Sequence, residues 1–161
     1  KETLGAASFD TTLDTVVFDR FSNFQAAILE GGSAIATCTS CSLDVDFGLD
    51  GDTYCIGGSG FRSAIAEGQV SVSGNIKAMF QDATLLNKAI NGTESSLQIT
   101  LTNGTYSLAI AVPELVYERS TPGIDGPKGV YVELPFRGYL QNGSAASIIT
   151  ATLVNDVTSY A

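Results

Sequence analysis

The sequence has no histidine, no tryptophan, one methionine and only 8 lysines and arginines among 161 residues. Each shortage closes a class of function. Without imidazole there is no Ser-His or Cys-His nucleophile, no histidine base and no histidine metal ligand. Serines stand without a base to activate them. The chain therefore reads as a non-enzyme with no cofactor. The basic residues form no cluster, and 17 acidic residues bring the net charge to -9. Gripping DNA through its phosphates needs clustered Lys and Arg, and an acidic balance discourages adhesion to nucleic acid or anionic membrane. No apolar run reaches the ~18 residues of a membrane span, so no membrane partner is expected. Three cysteines make no disulfide framework in a chain this long. The length suits one domain with a real core. The Lys1 start reads as a processed or partial chain.

What the sequence does have is period-two alternation, the mark of half-buried strands. In residues 35–47, Ile35, Thr37, Thr39, Cys41, Leu43, Val45 and Phe47 fall on one side. Ala36, Cys38, Ser40, Ser42, Asp44 and Asp46 fall on the other. Residues 69–81 turn Val70, Val72, Gly74, Ile76, Ala78 and Phe80 inward and Ser71, Ser73, Asn75 and Lys77 outward. Further strands are expected at 95–102, 105–118, 130–141 and 145–155. Asn103-Gly104 and Asn142-Gly143 read as hairpin turns, and residues 119–129 as a Pro/Gly loop. Pro113 and Pro135 mark bulges, breaks or edges, because proline cannot donate to a ladder. One short helix is expected, with Asp82 as N-cap, Leu85, Leu86, Ala89 and Ile90 on one face, and Asn91-Gly92 as the stop. The fold class is mainly β: a β-sandwich or open β-barrel with one short flanking α-helix. Residues 1–23 read as an N-terminal arm and 24–161 as the β domain. Residues 48–68 form a Gly-rich, acidic connection, and structureless loops that long are usually functional.

Cys38-x-x-Cys41 is the sharpest candidate for chemistry. A zinc knuckle needs both sulfurs in one tight turn. In an extended strand, positions three apart point to opposite faces. We therefore read both as strand residues, in preference to a disulfide involving Cys55 or to metal or redox chemistry. Asp44, Asp46, Asp50 and Asp52 resemble a calcium loop, but Phe47-Gly48-Leu49 breaks the spacing and no Glu closes it. The Asn-Gly-Ser/Thr triplets at Asn91, Asn103 and Asn142 match glycan acceptors, yet each falls where a turn or helix stop is wanted. The Gly57–Phe61 run lacks the Lys-Ser/Thr of a phosphate loop.

The run "EGQVSVSGNIKAMFQDATLLNKAINGTESSLQITL", followed by "AVPELVYERSTPGIDGPKG", "VELPFRGYLQNG" and "SIITATLVND", resembles tail tube proteins of long-tailed bacteriophages, which are related to tubes of contractile injection systems. The similarity spans residues 24–156. It implies a non-enzymatic structural protein of the virion, assembled in the bacterial host cytoplasm. Six copies would form a ring, rings would stack, and long strands would join into one β-barrel around a lumen through which DNA passes without specific binding. Tape measure, tail terminator and baseplate or tip proteins are the implied partners. On this reading Ser42, Asp44, Asp46, Ser71, Ser73, Asn75 and Lys77 face the lumen. Lys77 is the exception in sign and calls for a carboxylate partner. Asp50, Asp52, Tyr54, Phe61 and Arg62, in the long connection, become candidates for contacts between rings or subunits. Phe18, Phe21 and Phe24 pack either on another subunit or into their own core. The alternative function is a surface adhesin or pilin-like β-sandwich binding module.

Overall fold

Alternation of small polar and aliphatic residues builds the architecture directly. The computed structural model describes residues 20–35, 37–52, 54, 56, 60–62, 64–81, 83–121, 129–140 and 147–156. After a 3-10 turn at Asn23–Gln25 come β1 (Ala26–Glu30), β2 (Ser33–Ala34), β3 (Cys38–Asp46) and β4 (Ser71–Met79). Then follow α1 (Thr84–Asn91), β5 (Ser95–Asn103), β6 (Tyr106–Tyr117), β7 (Tyr131–Gly138) and β8 (Thr150–Val154). The strands pair antiparallel in the order β2-β1-β5-β6-β7-β4-β3, and β8 pairs with β6. The chain is mainly β with one short helix, as expected, and the sheet stays open rather than closing into a barrel. Strand β6 is long enough to serve two partners on one edge: Ser107–Ala111 meets β8, while Leu115–Tyr117 meets β7. The two ends of the sheet face each other without pairing, since β1, β5 and β3 line a common groove.

The core gathers the inward residues of each strand: Val72, Ile76 and Ala78 of β4, Leu97 of β5, Val112, Leu115 and Tyr117 of β6, and Val132, Leu134 and Phe136 of β7. Tyr117 and Phe136 meet edge to face, with ring centroids 6.4 Å apart, the arrangement that aromatic quadrupoles favour. The helix adds Ala89. It stops at Gly92, which takes a left-handed φ of 61° and lets its N–H reach the Lys88 carbonyl, as such stops do. The residue at the N-cap position is Ala83. This corrects the expectation of Asp82, which lies outside the described residues.

A buried polar triad ties the helix to the sheet. Lys88 Nζ donates to Glu30 Oε1 and Oε2 at 2.7 and 2.9 Å and to Ser95 Oγ at 3.1 Å. Ser95 in turn donates to Glu30 Oε1. Glu30 is only 7% exposed. Burial, and then the charge of Glu30, push the Tyr117 phenol above its usual range. Removing one partner of a buried pair strands the other charge. The Lys88→Met variant is therefore expected to lose about 2 kcal/mol in urea unfolding, discounted because Lys88 is partly exposed. Pairing it with Glu30→Gln should restore part of that loss. A single variant as stable as the wild type would show that the triad contributes nothing.

One local expectation changes, and those for the two prolines hold. Asn103 pairs with Tyr106, so Gly104 (φ 61°) and Thr105 form the centre of the turn, one position later than expected. The Asn142-Gly143 turn, the 122–128 part of the Pro/Gly loop, Cys55 and Phe18 lie outside the described residues. Pro113 falls at the irregularity where Ser95 and Leu97 face Leu115 and Val112, a site that tolerates a missing donor. Pro135 falls where β7 ceases to pair with β6.

The largest correction concerns Cys38 and Cys41. A register shift between Cys38 and Ser40 places Cys38 opposite Ala78 and Cys41 opposite Ile76. The extra residue of a bulge resets the alternation, so both thiols face the core side and pack against it instead of diverging. The same shift leaves Thr39 exposed. Both cysteines are free thiols. Burial, with a smaller contribution from Cys38, raises the Cys41 thiol to about 11. The thiolate is the reactive species. At pH 8, alkylation of Cys41 in the folded protein is expected to run ~100-fold slower than in the unfolded chain. Because the folded value is raised, the stability gained from the neutral thiol is full below pH 9 and fades as pH climbs through about 11. Equal alkylation rates in the folded and unfolded chain would contradict this burial.

Residues Phe47–Val70 form a separate compact unit. It carries antiparallel bridges at Asp50–Ala66 and Tyr54–Arg62. Its base is pinched by glycine: a Cβ on Gly68 would lie 2.2 Å from the Gly48 carbonyl oxygen. Phe47, expected to point inward, is exposed.

Candidate functional site

The polar side of β3, β4 and β7 collects the expected lumen-facing residues. Register sets Ser42 opposite Asn75, Asp44 opposite Ser73, and Asp46 opposite Ser71. Lys77 sits on the same face, opposite Ser40 on one side and Glu133 on the other. All seven thus share one surface, because every second residue of a strand points the same way. Their opposite neighbours, Cys41, Leu43 and Val45, pack on the core with Val72 and Ile76. That packing fixes which face is left polar.

Strand β7 completes the surface with residues that the sequence did not place there: Tyr131, Glu133, Pro135 and Arg137, opposite Met79, Lys77, Asn75 and Ser73. Their signal was present as strict alternation in "YVELPFRG". Lys77 Nζ lies 2.5 Å from Glu133 Oε1 and 5.8 Å from the centre of the Tyr131 ring. Arg137 Nε donates to Glu118 Oε1 at 2.6 Å. Both cations on this surface are therefore paired with carboxylates. Asp44 and Asp46 add further negative charge. A shallow concavity of about 560 Å³ lies across the surface, floored by Ser42, Ser73, Asn75 and Arg137. Such a surface offers small hydroxyls and carboxylates to water. Among the described residues, no group of three or more Cys, Asp or Glu could hold a metal ion.

The second group of expected residues comes together in the 47–70 unit. Asp50 and Tyr54 stand on one limb, and Arg62 on the other. The Arg62 guanidinium lies 5.4 Å from the centre of the Tyr54 ring, a cation–π distance. The Asp52 amide donates to Asp50 Oδ1 at 2.9 Å. Phe61 is exposed, and so are Leu49, Ile56 and Ile65, which carried no role in the sequence reading. Of the aromatic trio, Phe24 projects wholly into solvent, against its alternative of joining the core. Phe21 is half-buried.

The family model described as phage tail tube protein matches residues 1–138. No curated protein matches the chain.

Proposed function

Because this chain belongs to the phage tail tube protein family, we propose that it is the ring-forming subunit of a tail tube whose lumen is walled by the polar face of β3, β4 and β7. The observation that carries this reading is the composition of that face. Ser, Asn and Asp present a wet surface, and both cations are already paired with Glu133 and Glu118. Phosphate binding requires available cations, so this surface repels the DNA backbone and lets it slide. Six copies per ring would multiply the effect.

The unit at 47–70 takes the contact between rings or neighbours. Leu49, Tyr54, Ile56, Phe61 and Ile65 are all exposed on it, and clustered exposed apolar side chains mark interaction surfaces. Phe24 would contact another subunit in the same way. The role is structural, within the virion, with no catalytic step. No described helix is long and apolar enough to cross a membrane. Electron microscopy of the purified protein tests the assembly. Rings or tubes with a central pore are expected; a particle that stays monomeric at high concentration would refute the proposal.

A further inference from the structure

The bulge that turns Cys38 and Cys41 to one side also changes how far apart they are. In a straight strand, residues three apart are separated by about 10 Å, beyond the reach of a disulfide. Here Cys38 stands opposite Ala78 and Cys41 opposite Ile76, which are only two residues apart on β4. Three steps along β3 therefore cover the rise of two, which brings the cysteine Cα atoms to about 6.7 Å. Bridged cysteines have Cα atoms up to about 6.8 Å apart.

The side chains agree with this spacing. Both cysteines line one groove of about 390 Å³, together with Ala26, Ile28, Ile99 and Leu101. The Cys38 thiol donates to the Ser40 carbonyl oxygen at 3.3 Å, and that carbonyl leads directly into Cys41. Cys38 thus reaches along the strand toward Cys41, close enough for its charge to raise the Cys41 thiol. Both thiols are only half-buried, so a small reagent can meet them through the groove. A metal suits the pair poorly. Structural zinc takes four ligands, and among the described residues no group of three or more Cys, Asp or Glu could supply them.

We propose that Cys38 and Cys41 form an oxidative modification site, a dithiol that a small disulfide such as oxidised glutathione closes into an intrachain bond. The Cys38 thiolate attacks the small disulfide, forms a mixed disulfide and releases one thiolate. The Cys41 thiolate then attacks the Cys38 sulfur, forms the Cys38–Cys41 bond and releases the second. Two protein thiols are oxidised and one small disulfide is reduced. The two thiol protons end on the two small thiols released. A reducing cytosol keeps such a pair open, whereas virion surfaces sustain disulfides. The bond therefore closes after the particle leaves the cell. It staples the bulge and holds β3 in the register that places Asp44 and Asp46. The timing rests on the tail tube reading; the closure itself does not.

The full chain carrying Cys55→Ser, which keeps both thiols, is incubated folded with oxidised glutathione at about pH 8. The remaining thiols are then trapped with iodoacetamide in urea. Loss of two hydrogens by intact mass is expected, with peptide mapping that joins Cys38 to Cys41. The control adds Cys41→Ser and Ser40→Cys, which moves the second thiol to the exposed polar face opposite Lys77. Burial slows both native thiols, so the incubation continues until the thiols of the control are consumed. The control should form its bond at a yield about tenfold lower and carry glutathione adducts instead. Oxidation should raise the urea midpoint of the native pair, because the bond fits the folded register. A native pair that stays open or ends as glutathione adducts, a control that closes equally well, or a midpoint that falls on oxidation would overturn the site. Electron microscopy of the same protein separates the two readings. Rings without the bond contradict the site alone. The bond without rings contradicts the tube and the timing, and leaves the site standing.

Discussion

Gly74→Val is expected to destabilise the native fold severely. Gly74 lies in β4 between Leu43 of β3 and Phe136 of β7, on the core side of the sheet. A Cβ there would sit 2.2 Å from the Ser42 carbonyl oxygen and 2.4 Å from Phe136 Cζ. The oxygen belongs to a paired strand and has nowhere to go. The Phe136 ring is fully buried and held against Tyr117, so it has no free rotamer. Overpacking of this kind usually costs about 1–3 kcal/mol. With a backbone atom and a locked ring both in the way, at least about 3 kcal/mol is expected. That is a large share of the ~5–15 kcal/mol that holds a domain together. The instructive contrast is Gly92→Ala. Gly92 needs its positive φ, yet open space surrounds its Cβ position, so only about 1 kcal/mol should be lost. Thermal and urea unfolding followed by circular dichroism measures both. A Gly74→Val protein that melts with the wild type would mean that β3, β4 and β7 do not pack as described.

Reversing the charge of the polar face should leave the fold intact and change what the tube does to DNA. Asp44 and Asp46 are exposed on β3, where substitutions rarely shift stability by more than about 0.5 kcal/mol. In an assembled ring, Asp44→Lys with Asp46→Lys would place cations along the wall from every copy. Each phosphate so neutralised adds about -0.9 to the slope of log affinity against log salt. Purified tubes of this variant are expected to retain duplex DNA at low salt and release it steeply as salt rises. Wild-type tubes should retain none under any of these conditions. Asp44→Ser with Asp46→Ser, which removes charge without reversing it, should fall close to wild type. If the lysine variant binds no DNA at low salt, those two residues do not face the channel.

Much of this was legible in the sequence because the long strands alternate cleanly. β3 and β4 carry Ser, Asn and Asp on one side and Leu, Val and Ile on the other. Cross-strand register then brings Ser42, Asp44 and Asp46 against Asn75, Ser73 and Ser71. The cation at Lys77, unexplained by sequence, finds its carboxylate in Glu133, 56 residues away in the chain. Other features were hidden for physical reasons. The "AAILE" of β1 is too short to show a period, and its Glu30 is buried only because Lys88 and Ser95 come to meet it. The bulge after Cys38 has no local signature, yet it moves both thiols to one side. The 47–70 unit read as a loop because two isolated bridges leave no alternation to detect.

The most direct test is a cryo-electron microscopy reconstruction of the assembled protein at a resolution that traces side chains. The account predicts a pore walled by β3, β4 and β7, with Asp44, Asp46, Ser73 and Asn75 pointing into it from every copy. A pore lined instead by another surface, with the Asp44–Ser73 face packed against a neighbour or turned to the outside, would contradict it.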